Sequence, residues 1–180
     1  KEAVLRYAAG GDAGDFAKEV MTIIENYPKE ALLATMNLID SHDTARALTV
    51  LSGVDMTGTT KAYRRDFRLD KDAYGLARKK LMIASALQYM LPGVPSLFYG
   101  DEQGMQGYED PLCRRTFDWQ KEDSILLEHY RGLGKIRNKY LGEMTGDTFF
   151  EYNADGLLVM QRISSSGILR VVANNSGNNK

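Results

Sequence analysis

Met36-Asn-Leu-Ile-Asp-Ser-His-Asp-Thr44 is the stretch on which the reading of this chain turns. A largely apolar run from Ala31 to Ile39 empties abruptly into Asp40, Ser41, His42 and Asp43. An apolar run of this length that ends in polar residues is expected to be a buried strand. A buried parallel strand that delivers acid and imidazole at its C-terminal end suits the active face of an α/β barrel. His42 is one of two histidines in the sequence, and it stands directly beside a carboxylate. The same nine residues also fit a plainer reading, in which Asp40 and Asp43 cap the next element and His42 is a satisfied surface residue.

A second stretch has the same shape. Val94 to Tyr99 is short and apolar and ends in Gly100, Asp101 and Glu102. Between the two, about Asp72 to Leu91 reads as a helix that begins polar and becomes strongly apolar, buried against something large such as a sheet. Pro92 and Gly93 stop it. Strand, helix, strand, with both strands ending in carboxylates, is a βαβ unit whose polar ends share one rim.

The flanks are read from local signals. A short helix is expected at Ala3 to Ala9, closed by Gly10 and Gly11. Asp12 or Asp15 can cap the next helix, in which Phe16, Val20, Ile23 and Tyr27 share one face. Pro28 ends it, because the residue before a proline avoids the helical region. Ala47 to Leu51 suggests one more short helix. Ser52 to Asp72 reads as a long charged loop, a solvated face in preference to a ligand patch because both signs are mixed. Ser124 to Leu141 carries Leu126, Tyr130, Leu133, Arg137 and Tyr140 at helical spacing, with Gly142 as its stop. After that the period becomes extended. Residues 148–152, 157–163 and 168–174 read as strands, and 153–156 and 164–167 as the turns between them. The two parts expected are residues 1–143 and a β region, 144–180, that stops with too few strands for a closed sandwich. Both ends look cut.

Composition sets limits. The chain has 180 residues, 23 basic and 24 acidic, for a net charge of −1. That balance argues against nucleic acid or an anionic membrane as partner. No apolar run reaches the ~20 residues of a membrane span. The single cysteine, Cys113, excludes an intrachain disulfide and reads as a small packed thiol; a cytoplasmic setting is the expectation.

Motifs in this order resemble the C-terminal part of the α-amylase family, glycoside hydrolase family thirteen, and above all its neopullulanase, cyclomaltodextrinase and maltogenic amylase branch. Asn37 to Thr44 resembles the family's fourth signature region at the end of barrel strand seven, and Gly93 to Glu102 resembles the strand-eight segment. Asp110-Pro-Leu-Cys-Arg114 is similar to a loop motif of the cyclodextrin-degrading branch, and Val171 to Ser176 to a strand of the β-sandwich after the barrel. One departure is Ser41, where much of the family has Asn; that branch tolerates it. The resemblance implies an α/β fold: the C-terminal part of a (β/α)₈ TIM barrel, strands seven and eight with flanking helices, followed by the start of an all-β domain.

It also implies roles. Asp43 matches the third carboxylate of the site, which stabilises the transition state at the −1 subsite. His42 matches a histidine that binds the same sugar. Asp110 and Arg114 match a substrate-binding pair near the outer subsites, with a purely structural ion pair as the alternative. The residues alone would nominate Asp43 and Glu102 as the working acids. The resemblance instead places the nucleophile on strand four and the acid/base on strand five, outside this sequence. Asp101 and Glu102 are then assigned to structure, holding loops at the barrel rim, with direct substrate contact as the alternative; Arg46 pairs with a nearby acid, and His129 lies on the surface. Trp119 is either a sugar platform or a buried anchor. The substrate implied is an α-glucan, a maltooligosaccharide or a cyclodextrin, and a homodimer occurs among relatives of this branch. No cofactor is expected from these residues, although many relatives use calcium, for which no oxygen-ligand cluster of loop spacing is visible. The isolated chain is expected to be inactive and, with open strand edges, to self-associate. The rival reading is a non-catalytic, amylase-like glucan-binding or scaffold module. A third, an unrelated complete α/β domain, requires both ends to be natural.

Overall fold

The computed structural model describes residues 1–120 and 122–177. Residues 178–180, the end of the polar tail, lie outside them. The chain opens with helices α1 (Glu2–Ala8) and α2 (Ala13–Asn26). Asp12 caps α2, its side chain accepting the Asp15 N–H at 2.9 Å. The apolar face predicted for α2 is buried at Phe16 and Val20 and open at Ile23 and Tyr27.

The run expected to be one strand divides. Lys29–Ala34 is a helix, α3, and only Met36–Asn37 forms a strand, β1. The reason is local: Ala31-Leu-Leu-Ala34 is made of strong helix formers, and Pro28 at the cap supplies a helix start. The second strand, β2, is also only Val94–Pro95. β1 and β2 pair in parallel, Met36 with Val94 and Asn37 with Pro95. Val94 N–H donates to Thr35 and Ser96 N–H to Asn37, each at 2.8 Å. Pro95 therefore falls where its missing N–H would point away from β1. Gly93, at φ +110°, is required here, because a Cβ would lie 2.5 Å from the Thr35 carbonyl.

Three helices join the strands: α4 (Ala47–Leu51), α5 (Lys61–Asp66) and α6 (Lys71–Met90). The stretch read as loop thus holds a helix, capped by Thr60 onto the Tyr63 N–H. α6 begins where Asp70 accepts the N–H groups of Asp72 and Ala73. Its Ala77, Leu81, Ala84 and Leu87 are wholly buried. What they meet is mainly helical, with α1, α4 and α7 (Ser124–Lys139) packed around α6, where a sheet was expected. A 3₁₀ turn, Asp101–Gln103, comes after β2.

The closing segment is the predicted antiparallel meander: β3 (Asp147–Tyr152), β4 (Leu157–Ser164) and β5 (Gly167–Asn174), with β4 central. Leu158 and Met160 of β4 and Ala173 of β5 point into the same core as α1 and α6. Arg162 also turns inward and is fully buried. Its guanidinium donates to the carbonyls of Met90 at 2.9 Å, Gly146 at 3.2 Å, and Met144. Burial lowers its pKa to about 10. The two chain ends meet where Tyr7 Oη faces the Gly156 and Ala173 carbonyls and Asn175 Nδ2 donates to those of Tyr7 and Gly11.

Candidate active site

The peptide leaving β1 turns at Ser41, whose Oγ accepts the Asp43 N–H at 3.3 Å. This turn holds His42 and Asp43 on the rim, with both side chains about two-thirds exposed. His42 Nε2 lies 3.3 Å from Asp43 Oδ1. Asp110 and Arg114 come to the same place from a loop some seventy residues on. Arg114 Nη2 lies 2.6 Å from Asp110 Oδ1 and 3.7 Å from Asp43 Oδ1. All four residues singled out in the sequence therefore stand together, three of them around one guanidinium.

Two further contacts fix the loop to the rim. Arg114 Nε donates to the His42 carbonyl at 3.0 Å, and Cys113 Sγ–H donates to the same oxygen at 3.1 Å. Cys113 is buried, the packed thiol expected. What the sequence does not reveal is that it packs beneath His42, since no periodic or motif signal links positions 42 and 113. α5 braces the loop from the other side: Arg64 pairs with Glu109 at 2.5 Å, and Lys61 Nζ reaches the Asp110 carbonyl at 3.4 Å.

Behind the rim lies a buried charge cluster. Asp40, Arg46 and Asp101 are each 2% exposed or less. Arg46 Nη1 donates to Asp101 Oδ1 at 3.2 Å and to the Tyr99 carbonyl, and Nε donates to the Cys113 carbonyl at 2.9 Å. The guanidinium carbon sits 3.9 Å from the Phe98 ring centroid, a favourable stack for a buried cation. Asp40 Oδ2 accepts the Ala47 N–H at 2.8 Å and so opens α4. Burial pushes the Asp101 carboxyl well above the usual range, and the Asp40 charge adds to this against the pull of Arg46. Asp40 is also raised by burial. Arg46 thus has its acid, as expected, and Asp101 holds rim loops. Glu102 turns back to accept the Gly100 N–H at 2.8 Å.

One alternative and one expectation fail. Trp119 is 88% exposed, so it is no buried anchor, which leaves the sugar-platform alternative; its ring meets that of Phe117, 4.6 Å between centroids. His129 is half-buried, not superficial: its Nε2 lies 2.9 Å from Ser85 Oγ, and burial lowers its pKa. Both sit where helical spacing is silent, Trp119 in a loop and His129 on the flank of α7.

Among the described residues no group of three or more His, Cys, Asp and Glu is placed to hold a metal ion, and no helix is long and apolar enough to cross a membrane. The arrangement at the rim offers an imidazole, two carboxylates and a guanidinium, all partly open to solvent. Such a set can donate to and accept from several hydroxyls at once.

A parallel strand pair with polar ends on one rim, succeeded by an antiparallel sheet, marks the rear of an α/β-barrel protein with an attached β region. No protein-family model matches the chain. Single relatives do. The chain is 38% identical to an amylopullulanase of Thermoanaerobacterium thermosulfurigenes over 138 residues, covering 76% of this chain and 7% of that enzyme. It is 32% identical to a cyclomaltodextrinase of Geobacillus thermopakistaniensis over 97% of this chain and 27% of that enzyme. Among solved structures, the type III pullulan hydrolase of Thermococcus kodakarensis superimposes with a TM-score of 0.77 and 28% identity, over 97% of this chain and 29% of that one. The chain therefore spans at most about a quarter of the length of these curated relatives. It belongs to the α-amylase family, glycoside hydrolase family thirteen, and corresponds to the C-terminal region of its members.

Proposed function

We propose that the protein carrying this chain is a retaining α-glucan hydrolase that cleaves or transfers α-1,4-glucosidic bonds. The observation that carries the reading is the convergence of His42, Asp43, Asp110 and Arg114 on one rim. Asp43 hydrogen-bonds the hydroxyls of the glucose in the −1 subsite. Those bonds tighten as the ring flattens toward an oxocarbenium ion, so they stabilise the transition state more than the bound sugar. Its negative charge also helps a neighbouring acid/base keep its proton. His42 binds the same sugar as donor or acceptor. Asp110 and Arg114 hold glucose units farther along the glycone side, their ion pair leaving edges free for hydroxyls. The nucleophile and acid/base come from residues outside this chain, so the 180 residues alone should turn over nothing. No step is assigned to calcium. Division near residue 143 into a barrel portion and a β portion, a cytoplasmic setting and a homodimeric parent belong to the same reading.

The test is Asp43→Asn in the full-length protein, assayed on maltooligosaccharides, cyclodextrin and pullulan. Loss of a contact worth several kcal/mol in the transition state predicts a fall in kcat of roughly 10²–10⁴-fold with KM little changed. A full-length protein that binds these glucans without turnover would make the non-catalytic module the correct reading.

A further inference from the structure

Asp40 and Asp101 leave a discrepancy in the hydrogen bonding behind the rim. Each uses one carboxyl oxygen: Asp40 Oδ2 takes the Ala47 N–H and Asp101 Oδ1 takes Arg46. The other two oxygens, Asp40 Oδ1 and Asp101 Oδ2, are buried with no donor. Both acids belong to one buried cluster around Arg46, and burial raises each carboxyl above its usual range, Asp101 further by the charge of Asp40; two carboxyls in such a cluster satisfy their free oxygens if one proton lies between them. The charge count agrees. One guanidinium is in contact with the pair, so one shared proton makes the cluster neutral and its loss would leave a buried charge uncompensated.

We propose that Asp40 and Asp101 share a single proton, and that this proton bridge is a positioning device that holds His42 and Asp43 on the rim. The positioning half rests on the glucan-binding reading of those two residues. Asp40 stands two and three positions before them, at the exit of β1. Asp101 opens the 3₁₀ turn that comes after β2, just past Gly100. The bridge therefore ties the segments that run on from the two strands, beyond the two-residue β1–β2 pairing. Arg46 extends the tie: its Nε holds the carbonyl of Cys113, whose thiol grips the His42 carbonyl. The charged and titratable groups facing the pair are few. Arg46, which precedes α4, contacts Asp101; Lys1, ahead of α1, acts on Asp40 through space; and the Tyr130 hydroxyl, on α7, is buried and made harder to ionise by burial and by Asp101. Burial keeps the proton on the pair above the pH at which an exposed aspartate loses it. The pair thus favours the folded state at low pH, and that contribution fades as the pH climbs through the raised value.

Asp101→Asn in the full-length protein is the decisive variant. The amide still donates to Asp40 and still accepts from Arg46, but it does not titrate. Infrared difference spectra at neutral pH should show a protonated-carboxyl band in the parent that is missing from the variant. Turnover at neutral pH should stay within about threefold of the parent, while the alkaline fall of kcat/KM moves up by roughly one pH unit or more. Asp40→Asn should also remove the band, and serves if Asp101→Asn does not fold. Equal bands in parent and variant would overturn the shared proton. An unmoved alkaline limb would overturn its positioning role. A parent with no glucan turnover would sink the functional reading, and the positioning role with it, while the infrared band still decides the proton.

Discussion

Asp40 and Asp43 are separated by two residues and occupy different media. Asp40 is 2% exposed and locked to the Ala47 N–H. Asp43 is about two-thirds exposed, with His42 at 3.3 Å and Arg114 at 3.7 Å as its partners. The chain makes this difference with one turn at Ser41. The buried acid shapes the backbone, and the open acid is left free to trade its partners for a ligand. Exposed ion pairs are worth little to stability, whereas removing one member of a buried set strands the other.

That contrast can be broken at its buried end first. Arg46→Met removes the cation from between Asp101, Tyr99 and Cys113. It should destabilise the protein by about 3–5 kcal/mol, read as a drop in denaturant midpoint at unchanged slope. Asp43→Asn, at the open end, should change stability by less than about 0.5 kcal/mol while kcat collapses. A stability loss in Asp43→Asn equal to that of Arg46→Met would erase the distinction between the two regions. Cys113→Ala probes the link between them. Losing a weak donor and a little packing should cost about 1 kcal/mol, with a rise in KM if His42 is loosened. The smallest effect is expected at Trp119→Ser, within about 0.5 kcal/mol in stability, because that side chain is 88% exposed.

The parts of the fold legible in the sequence are those decided locally. Asp12, Asp70 and Asp123 each cap a helix whose apolar spacing is readable, and the turns at 153–156 and 164–167 set the meander. The parts that are not legible depend on partners. Ala31–Ile39 is apolar enough for a strand, but its first half has the residues of a helix, and strand length is set by what pairs with it. β1 and β2 have only each other among the described residues, and each is two residues long. The site divides the same way. His42 and Asp43 are conspicuous as an acid–imidazole pair at the end of an apolar run. Asp110 and Arg114 are readable only through resemblance, because nothing in the spacing of positions 42 and 114 says that they touch. The Asp40–Asp101 contact is harder still to read. A carboxylate beside a carboxylate is the pairing that charge patterning argues against, and only burial with a shared proton makes it reasonable.

The clasp between Tyr7 and the last strand has a consequence for the order of events on the ribosome. Asn175 donates to the carbonyls of Tyr7 and Gly11, contacts that span 168 and 164 residues. The buried face of α1 is thus synthesised long before β5, which helps to cover it. At ordinary translation speeds that interval is roughly 10–30 s. Through it Val4, Leu5 and Tyr7 must wait on α2, α4 and α6 alone, so this corner closes late, and a ribosome stalled anywhere before residue 175 holds a chain whose first helix is still waiting for its clasp.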